Sequence, residues 1–375
     1  MPTFKAKVSR RAFLAVALAP LIPLRTRFDP TPTPPIPAIS ATPAATVSAT
    51  SIPPGGPDLS KYAMLYQRTG APADDAAIQI VVTGDNSMAR GTAGAIAGHA
   101  NNFDYPLSAV SDWLKAADLA VGNQEGVIAA QGVGTERPQG YRLRADPKAA
   151  AALAKAGFGL VNLANNHTRD FGPDGIKATM DALHAAKVQT VGAGGDYNAA
   201  RLPVVTALRG LKVVWLAQLN VPDPPDYGIN WEGNGYGRAR VEEDRLAGQI
   251  KAARALGDVL IAQFHWGIEY EPNPFETQVR LGRIAIDAGA DIVIGHHPHV
   301  IQSVEVYQKK LIIYSLGNFM FDQDGRSGMA AWLRLDSHGI IDVHAIPVNP
   351  GTRPVWAQGA KMVRDKNGGI IVSVP

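Results

Sequence analysis

Three of the nine histidines in this chain stand within four consecutive positions, in the segment IVIGHHPHV at residues 292–300. His296, His297 and His299 follow an apolar run and a glycine, a pattern typical of a buried strand with polar residues at its carboxyl end. Imidazole binds transition metals and exchanges protons near neutral pH. The segment therefore predicts a metal site; a polar loop with surface histidines is the alternative.

Polar residues also follow four other apolar runs. They are Asp85 after IQIVVTG, Asn123 and Glu125 after LAVG, Asn166 and His167 after LVNLAN, and His265 after VLIAQF. In open α/β sheets, ligands bind beyond the carboxyl ends of the strands, so these five ends indicate a shared site rather than ordinary turns. Imidazole with carboxylate suits Zn, Mn, Fe or Ni, whereas an all-oxygen Ca or Mg site would not use these histidines.

The proline within the histidine cluster predicts which imidazoles share a direction. A residue before proline prefers an extended backbone, so His297 and His299, two positions apart, should project to the same side. His296 would then point elsewhere, with a contact to a metal-binding residue as one alternative. The pattern favours His297 and His299 as ligands, while the choice between His296 and His297 stays open.

Strands and helices alternate through the middle of the chain. Strands are predicted at residues 78–83, 119–122, 159–163, 188–191, 259–264 and 291–294, and helices at 106–117, 147–156, 174–186, 242–256 and 276–288. A hairpin is predicted at residues 204–219, and residues 304–348 contain strands joined by turns. Parallel βα units followed by antiparallel strands predict an α/β fold of two packed sheets flanked by helices.

Composition excludes several classes of protein. The chain has no cysteine, which excludes disulfides, thiolate metal sites and thiol nucleophiles. Its net charge of +3 comes from scattered residues, without a basic run interleaved with aromatics, so no nucleic-acid partner is expected. A hydrophobic content of 46% over 375 residues allows a sizeable core.

The N-terminal segment predicts export. Residues 1–27 carry four basic side chains before an uncharged stretch at 12–24, which is too short to span a membrane and fits a signal peptide. The string SRRAFL matches the twin-arginine pattern; an ordinary secretory signal is the alternative. Residues 28–60 are a Pro/Thr-rich tract predicted to be a disordered linker. The protein is expected at the cell surface, or tethered to the cytoplasmic membrane if the N-terminal segment is not cleaved.

Six segments carry a family resemblance within residues 77–324: GDNSMAR, DLAVGNQEG, NLANNHTRDFG, HWGIEYEP, DAGADIVIGHHPHVIQSVEVY and YSLGNFMFD. They resemble the CapA family of capsule, or poly-γ-glutamate, synthesis proteins, in the calcineurin-like metallophosphoesterase superfamily. The resemblance implies one domain at residues 61–375 folded as a four-layer α/β/β/α sandwich. It also implies one or two divalent transition-metal ions (Mn, Fe or Zn), with ligands among Asp85, Asn123, Glu125, Asn166, His265, His297 and His299.

The resemblance also implies roles beyond metal binding. His167 would act as the general acid, oriented by Asp170, and Arg144, Glu269 and Asn318 would contact substrate. The alternatives are a helix cap at His167, a turn at Asp170 or Asn318, a salt bridge at Arg144 and an ordinary surface position at Glu269.

Two positions depart from the superfamily pattern. Ser87 stands where a histidine is usual, and Asn123 stands where a bridging aspartate is usual, with Glu125 two residues further on. Fewer anionic ligands should weaken the binding of one ion, so the number of ions stays open.

Two functions from different classes fit these observations. In the first, an exported hydrolase-type protein uses metal-activated water to attack a phosphoester, or an amide of an anionic polymer such as poly-γ-glutamate. In the second, a non-catalytic exported factor binds an anionic polymer and aids its assembly or export. Metal content discriminates between them, because two tightly held ions favour catalysis.

Overall fold

A computed structural model of the chain describes residues 45–46, 55–70, 77–134, 142–222, 235–323, 327–359, 361–364 and 369–373. The predicted signal segment at residues 1–27 lies outside them. Of the predicted linker at 28–60, the described parts are a two-residue strand and residues 55–60, so the boundaries of these segments and of the domain at 61–375 stay predictions. No helix in the described part of the chain is long and apolar enough to cross a membrane.

Helices form the outer layers. Within the described residues they are α1 (Arg90–Gly98), α2 (Ser111–Ala116), α3 (Lys148–Ala156), α4 (Gly172–Ala185), α5 (Tyr197–Ala200), α6 (Glu243–Arg254) and α7 (Glu276–Asp287). In α6, acidic residues in the first turn and basic residues in the last turn complement the helix dipole.

Strands form the inner layers. They are β1 (Ala45–Thr46), β2 (Ala63–Gln67), β3 (Ile78–Asn86), β4 (Leu119–Gln124), β5 (Val127–Ile128), β6 (Arg144–Ala145), β7 (Phe158–Asn162), β8 (Gln189–Val191), β9 (Ala193–Gly194), β10 (Val204–Leu208), β11 (Leu211–Asn220), β12 (Gly237–Arg238), β13 (Val259–Trp266), β14 (Ile292–His296), β15 (Val304–Tyr307), β16 (Lys310–Ile313), β17 (Asn318–Met320), β18 (Gly328–Asp336), β19 (Gly339–Asn349), β20 (Val355–Trp356), β21 (Lys361–Arg364) and β22 (Ile370–Ser373).

Two large sheets contain most of these strands. The first has the order β2-β19-β18-β3-β4-β7-β8, and its strands β3, β4, β7 and β8 are parallel. The second has the order β1-β10-β11-β13-β14-β16-β15-β22-β21, and its strands β11, β13, β14 and β16 are parallel. Each sheet therefore brings the carboxyl ends of its parallel strands to one edge.

Three hydrophobic cores separate the layers. Ile80 of β3 and Ile261 of β13 pack in the core between the two sheets. The next residue along β3, Val81, faces the opposite side with α2, α3 and α4. Likewise, Leu260 of β13 packs with α6 and α7 on the outer face of the second sheet. Because strand side chains alternate between faces, strands buried on both faces read as continuous apolar runs. The predicted four-layer α/β/β/α sandwich is confirmed.

The first sheet differs from the prediction where it meets the site. Strand β3 continues to Asn86 rather than ending at residue 83, and β17 pairs with it in parallel, placing Asn318 opposite Asp85. A Cβ atom at Gly84 would lie 2.0 Å from the carbonyl oxygen of Gly317, so this close approach requires glycine. The chain at 105–116 is also divided, into a 3-10 helix (Tyr105–Leu107) and α2, where one helix at 106–117 was predicted.

Candidate functional site

The site lies where strands of both sheets end. Asp85 pairs with Asn123 in the register of β3 and β4, and His265 pairs with His296 in the register of β13 and β14. Glu125 follows β4 directly, and its N–H donates to the Asn86 carbonyl at 2.8 Å. The predicted convergence of strand ends is therefore seen in the structure.

Three side chains form a cluster with the composition of a metal site. Ligand atoms of Asp85, Glu125 and His265 lie within 4.8 Å of one another, and all three residues are fully buried. Neither carboxylate oxygen of Glu125 has a hydrogen-bond partner among the described residues. Burial, then the negative charges of Asp85 and Glu269, raise the pKa of Glu125 well above its ordinary value. A cation here would remove that penalty, because it would balance the charge that burial disfavours.

Asp85 is the most heavily contacted carboxylate of this cluster. Its Oδ1 accepts a hydrogen bond from Asn123 Nδ2 at 2.8 Å and lies 3.4 Å from His296 Nδ1. Its Oδ2 lies 3.4 Å from His299 Nδ1. Burial alone would raise the pKa of Asp85, but the contact with His296, the charges of His299 and His296 and the hydrogen bond from Asn123 bring it below its ordinary value. Asp85 is thus held ionised, as a metal ligand requires.

His297 and His299 adopt backbone conformations that differ from the prediction. Their φ angles are 99° and 57°, in the left-handed region rather than the extended region expected next to Pro298. The N–H of His297 donates to Asp85 Oδ2 at 3.2 Å, a tertiary contact that outweighs the local preference. The predicted extended backbone is therefore wrong at His297. Left-handed non-glycine residues cluster at functional sites, where the surrounding structure compensates for their strain.

His296 and His297 both face the site. His296 Nδ1 contacts Asp85, as described above, and its Nε2 lies 3.2 Å from Gln263 Oε1. The His297 ring centroid is 4.7 Å from that of His265. His296 therefore contacts the predicted ligand Asp85, and the choice between His296 and His297 as a metal ligand stays open. Burial and the charge of His299 lower the pKa of His297 to about 3, so this imidazole is neutral and able to bind a metal at neutral pH.

His265 connects two predicted ligands to the cluster. Its Nε2 lies 2.9 Å from Asn166 Oδ1, and its Nδ1 lies 3.3 Å from Asn123 Nδ2. Burial, followed by the charges of His297 and His296, lowers the pKa of His265 well below its ordinary value. The structure therefore brings Asn123 and Asn166 to the same ring, and their roles as metal ligands stay predictions.

His167 and Asp170 form the predicted pair. His167 Nδ1 lies 2.7 Å from Asp170 Oδ2, which also accepts a hydrogen bond from the Leu143 N–H at 2.8 Å. This arrangement orients the imidazole so that its Nε2 faces the cluster, 3.9 Å from Glu125 Oε1. The His167 side chain is 12% exposed, and it lines the cleft that leads to the site.

Asn165 is a site residue that the sequence reasoning missed. Its Nδ2 donates to the Gln124 carbonyl at 2.8 Å and approaches Asn123 Oδ1 at 3.3 Å. Its Oδ1 accepts hydrogen bonds from the N–H groups of His167 and Thr168. Asn165 thereby holds the loop of His167 against the end of β4. The sequence offered one sign of this role: two asparagines precede His167 in NNH, and the prediction used only Asn166 as a ligand.

A cleft of about 420 Å³ reaches His167 and His299, the two imidazoles beside Glu125 of the cluster. Its described lining is Arg90, Leu143, His167, Glu269, Tyr270, His299, Phe321, Asp322 and Gln323. Glu269 therefore lies at the cleft, as predicted for a substrate contact. Arg90 and Gln323 were missed: Arg90 is the last residue of the segment GDNSMAR, and Gln323 directly follows the segment YSLGNFMFD.

Asn318 and Arg144 are not among the described lining residues of the cleft. Asn318 is fully buried, and its Oδ1 lies 2.7 Å from His299 Nδ1, so it orients an imidazole. The guanidinium of Arg144 stacks over the Phe171 ring, with its Cζ 5.0 Å from the ring centroid. Substrate contact by either residue stays a prediction.

The residues present fit a divalent transition metal. Buried carboxylates with neutral imidazoles form the donor set that Mn, Fe and Zn accept. Glu125 provides the decisive observation, because its buried oxygens lack hydrogen-bond donors in the described part of the chain. Asp85, Glu125 and His265 would be the core of such a site.

The four-layer sandwich, with this carboxylate and imidazole cluster at its strand ends, defines a protein of the metallophosphoesterase-like class. A family model described as bacterial capsule synthesis protein PGA_cap matches residues 79–323, more than half of the chain. The chain belongs to this family, which is part of the metallophosphoesterase-like superfamily. The resemblance found in the sequence is confirmed.

Curated relatives support the same assignment. The chain is 34% identical over 247 residues to the capsule biosynthesis protein CapA of Bacillus anthracis, covering 64% of this chain and 58% of that protein. It is 31% identical over 231 residues to the PGA biosynthesis protein CapA of Bacillus subtilis, covering 62% and 58%. The chain thus spans less than two thirds of the length of either relative.

Among solved structures, the protein TT1561 of Thermus thermophilus overlaps 71% of this chain and 98% of its own, at a TM-score of 0.35 and 12% identity. The assignment of the four-layer fold rests on the sheets and cores described above.

Proposed function

We propose that this protein acts in the synthesis or processing of an anionic capsule polymer of the poly-γ-glutamate type, through a metal-dependent hydrolase-type site. Family membership and the names of the two CapA relatives support the polymer. The buried cluster of Asp85, Glu125 and His265 supports the metal. The reaction would be hydrolysis of a phosphoester or an amide.

The observation that carries this proposal is the buried Glu125 carboxylate, which accepts no hydrogen bond from the described residues and has imidazoles of His299 and His167 at 3.7 Å and 3.9 Å. Leaving a buried carboxylate without donors costs several kcal/mol unless it is neutralised, so a protein keeps one where a cation compensates. Asp85, which is held ionised, and His265, whose imidazole is neutral, complete a mixed donor set beside it. A divalent ion bound there would polarise the scissile group and acidify water.

His167 is suited to protonate the leaving group. Its Nδ1 is engaged by Asp170, so the proton to be transferred is carried on Nε2, the nitrogen that faces the cluster. The backbone N–H of Leu143 holds Asp170 in place, which fixes the direction of the imidazole. General acid catalysis by a group positioned in this way contributes about 10²- to 10⁴-fold.

Export and attachment to the cytoplasmic membrane are part of the same proposal. The basic and apolar composition of residues 1–27, and the Pro/Thr-rich tract after it, support them. Replacing Arg10 and Arg11 with lysine should abolish export if the twin-arginine route is used; unchanged export would contradict that route.

The experiment is metal analysis and turnover on the full chain purified from its native host. We expect at least one tightly held transition-metal ion per chain and hydrolysis within a panel of phosphoesters and γ-glutamyl amides. His167→Ala should lower kcat by roughly 10²-fold while metal content stays unchanged. Unchanged activity in His167→Ala, or metal-loaded protein without turnover on the whole panel, would contradict the hydrolase.

A second candidate function is a non-catalytic factor that binds an anionic polymer and aids its assembly or export. The observation that favours it is Asn123, whose Nδ2 donates to Asp85 where a bridging carboxylate is usual in the superfamily. Polymer binding that persists after chelation, in a protein without turnover, would favour this candidate.

A further inference from the structure

The rim of the cleft carries an excess of negative charge. Among the described lining residues, Arg90 supplies a guanidinium, whereas Glu269 and Asp322 supply two carboxylates. Arg90 is already ion-paired with Asp322, which also accepts a hydrogen bond from the N–H of Gly91 at 2.9 Å. An incoming anion therefore meets a guanidinium whose charge Asp322 already balances and a Glu269 carboxylate that repels it.

The interior does not reverse this balance. The proposed metal ligands include two buried carboxylates, Asp85 and Glu125. A single divalent ion would be balanced by these two carboxylates, so that ion and its acidic ligands together would carry no net positive charge to offset Glu269. A phosphate monoester, which is close to dianionic at neutral pH, is thus poorly matched to the whole cleft.

A chain of hydrogen bonds fixes how Gln323 faces the cleft. His299 Nδ1 contacts Asn318 Oδ1 at 2.7 Å, and Asn318 Nδ2 in turn donates to Gln323 Oε1 at 3.1 Å. At the other end of the Gln323 amide, Nε2 donates to the Tyr270 hydroxyl oxygen at 3.1 Å. Because each amide has one donor end and one acceptor end, the first contact sets the orientation of the others. These two bonds leave Gln323 with a second amide hydrogen and a second carbonyl lone pair.

We propose that the cleft recognises an amide in preference to a phosphoester. A phosphate presents acceptors alone, whereas a secondary amide presents one N–H and one carbonyl. Gln323 can donate to that carbonyl, and the Glu269 carboxylate can accept from that N–H, a contact that a phosphate cannot make. The inference rests on the proposed hydrolase-type site and narrows it to amide substrates.

The test uses two probes that share a nitrophenyl group. Dissociation constants for γ-glutamyl-4-nitroanilide, which has no net charge, and 4-nitrophenyl phosphate are measured on the metal-loaded full chain. Gln323→Met should raise the dissociation constant of the anilide by roughly tenfold and leave that of the phosphate nearly unchanged. Glu269→Gln should lower the dissociation constant of the phosphate, because a repelling charge is removed. It should not lower the dissociation constant of the anilide.

Matched variants keep the result interpretable. Gln308→Met removes an amide that donates to Asp287 away from the site, and it should affect neither probe. Tyr270→Phe removes only the hydroxyl that holds Gln323, so it should weaken anilide binding even if Gln323→Met disturbs Asn318. Metal content is measured on each variant.

Equal weakening of both probes in Gln323→Met and in Tyr270→Phe, or an unchanged phosphate affinity in Glu269→Gln, would overturn the inference. Turnover is recorded in parallel. Absence of turnover would contradict the proposed hydrolase, while the pattern of dissociation constants still decides which group the cleft recognises.

Discussion

Glu125 shows how a single side chain constrains the chemistry of the site. Burial and the neighbouring negative charges of Asp85 and Glu269 raise its pKa, so the metal-free protein favours the protonated carboxyl. A bound cation favours the carboxylate instead. Metal affinity should therefore depend on pH, because the ion competes with a proton for the same oxygens.

The substitution Glu125→Gln should reveal how the raised pKa of Glu125 affects the stability of the metal-free protein. The raised pKa means that folded wild type binds more protons than unfolded chain above about pH 4.5, the ordinary value for glutamate. Its free energy of unfolding therefore falls as the pH rises through that window. The glutamine variant lacks this penalty, so its stability relative to wild type should grow with pH, by at most about 1.4 kcal/mol per pH unit.

The measurement is denaturant unfolding of both proteins after chelation, across the pH range from 4 to about 8. Glu276→Gln, an exposed substitution in the first turn of α7, serves as the control and should show no such trend. If the difference in free energy of unfolding between Glu125→Gln and wild type does not change with pH, the Glu125 carboxyl does not take up a proton on folding.

The residue types of the site were predictable, but the geometry of the histidine cluster was not. Five apolar runs ending in Asp, Asn, Glu or His predicted a shared site from the chain alone. The left-handed backbone of His297 depends on Asp85, which is 212 residues away in sequence. A local rule about proline cannot include such a contact, so it predicts an extended backbone at His297 that the structure does not have.

At the scale of elements, β14 is held so close to its neighbours that one position admits no side chain. A Cβ atom at Gly295 would lie 1.9 Å from the Tyr314 carbonyl oxygen and 2.4 Å from Trp266 Nε1. Trp266 Nε1 also donates to that carbonyl at 2.9 Å. This packing fixes the end of the strand from which the histidine cluster begins.

Gly295→Ala should therefore destabilise the fold by about 1–3 kcal/mol, since the added methyl forces β14 away from Trp266 and Tyr314. Metal affinity should fall as well, because His296 and His297 move with the strand. Gly94→Ala in α1 is the matched control: its methyl would meet nothing within 4 Å. There, alanine should be neutral or stabilising by up to about 1 kcal/mol.

Denaturant unfolding and metal titration of the two variants provide the measurement. Equal stability of Gly295→Ala and Gly94→Ala would mean that β14 can shift without cost.

Elements were predictable where local pattern and tertiary packing agree. The apolar runs of β3, β4, β13 and β14 stood out because both faces of each strand are buried. Helix α1 was missed, because three glycines within Arg90–Gly98 give it a low intrinsic helix propensity. Strand β17 was also missed; three residues are too few for a pattern, and its pairing with β3 is a long-range contact.

At the scale of the whole molecule, the site joins the two sheets. Asp85 and Glu125 come from the first sheet, and His265 comes from the second. The core between the sheets is apolar, whereas at this edge the two sheets contact each other through the polar side chains of the cluster. A bound ion would link the two halves of the sandwich directly.

Metal removal should therefore lower the thermal stability of the folded part. A ligand at 100 times its dissociation constant adds about 2.7 kcal/mol to the free energy of unfolding, which corresponds to about 4 °C in Tm for a domain of roughly 300 residues. Calorimetry with chelator and metal add-back measures the shift. His265→Ala should abolish the response to metal, and His338→Ala, which alters an exposed histidine, should keep it.

A response to metal in His265→Ala as large as in wild type would place the bound ion elsewhere. Aggregation of the chelated protein at ambient temperature would instead indicate that the ion is needed for folding.

The spread of the cluster along the chain also bears on how the protein matures. The contacts Asn166–His265, Asn123–His265 and Asp85–His297 join residues 99, 142 and 212 positions apart. Contacts of such long range form late, after the segments between them have collapsed. A nascent chain released before residue 297 would lack part of the pocket, so an ion that needs the whole pocket would mark chains whose synthesis and assembly are complete. Metal occupancy could therefore be used to count finished molecules in a cell extract.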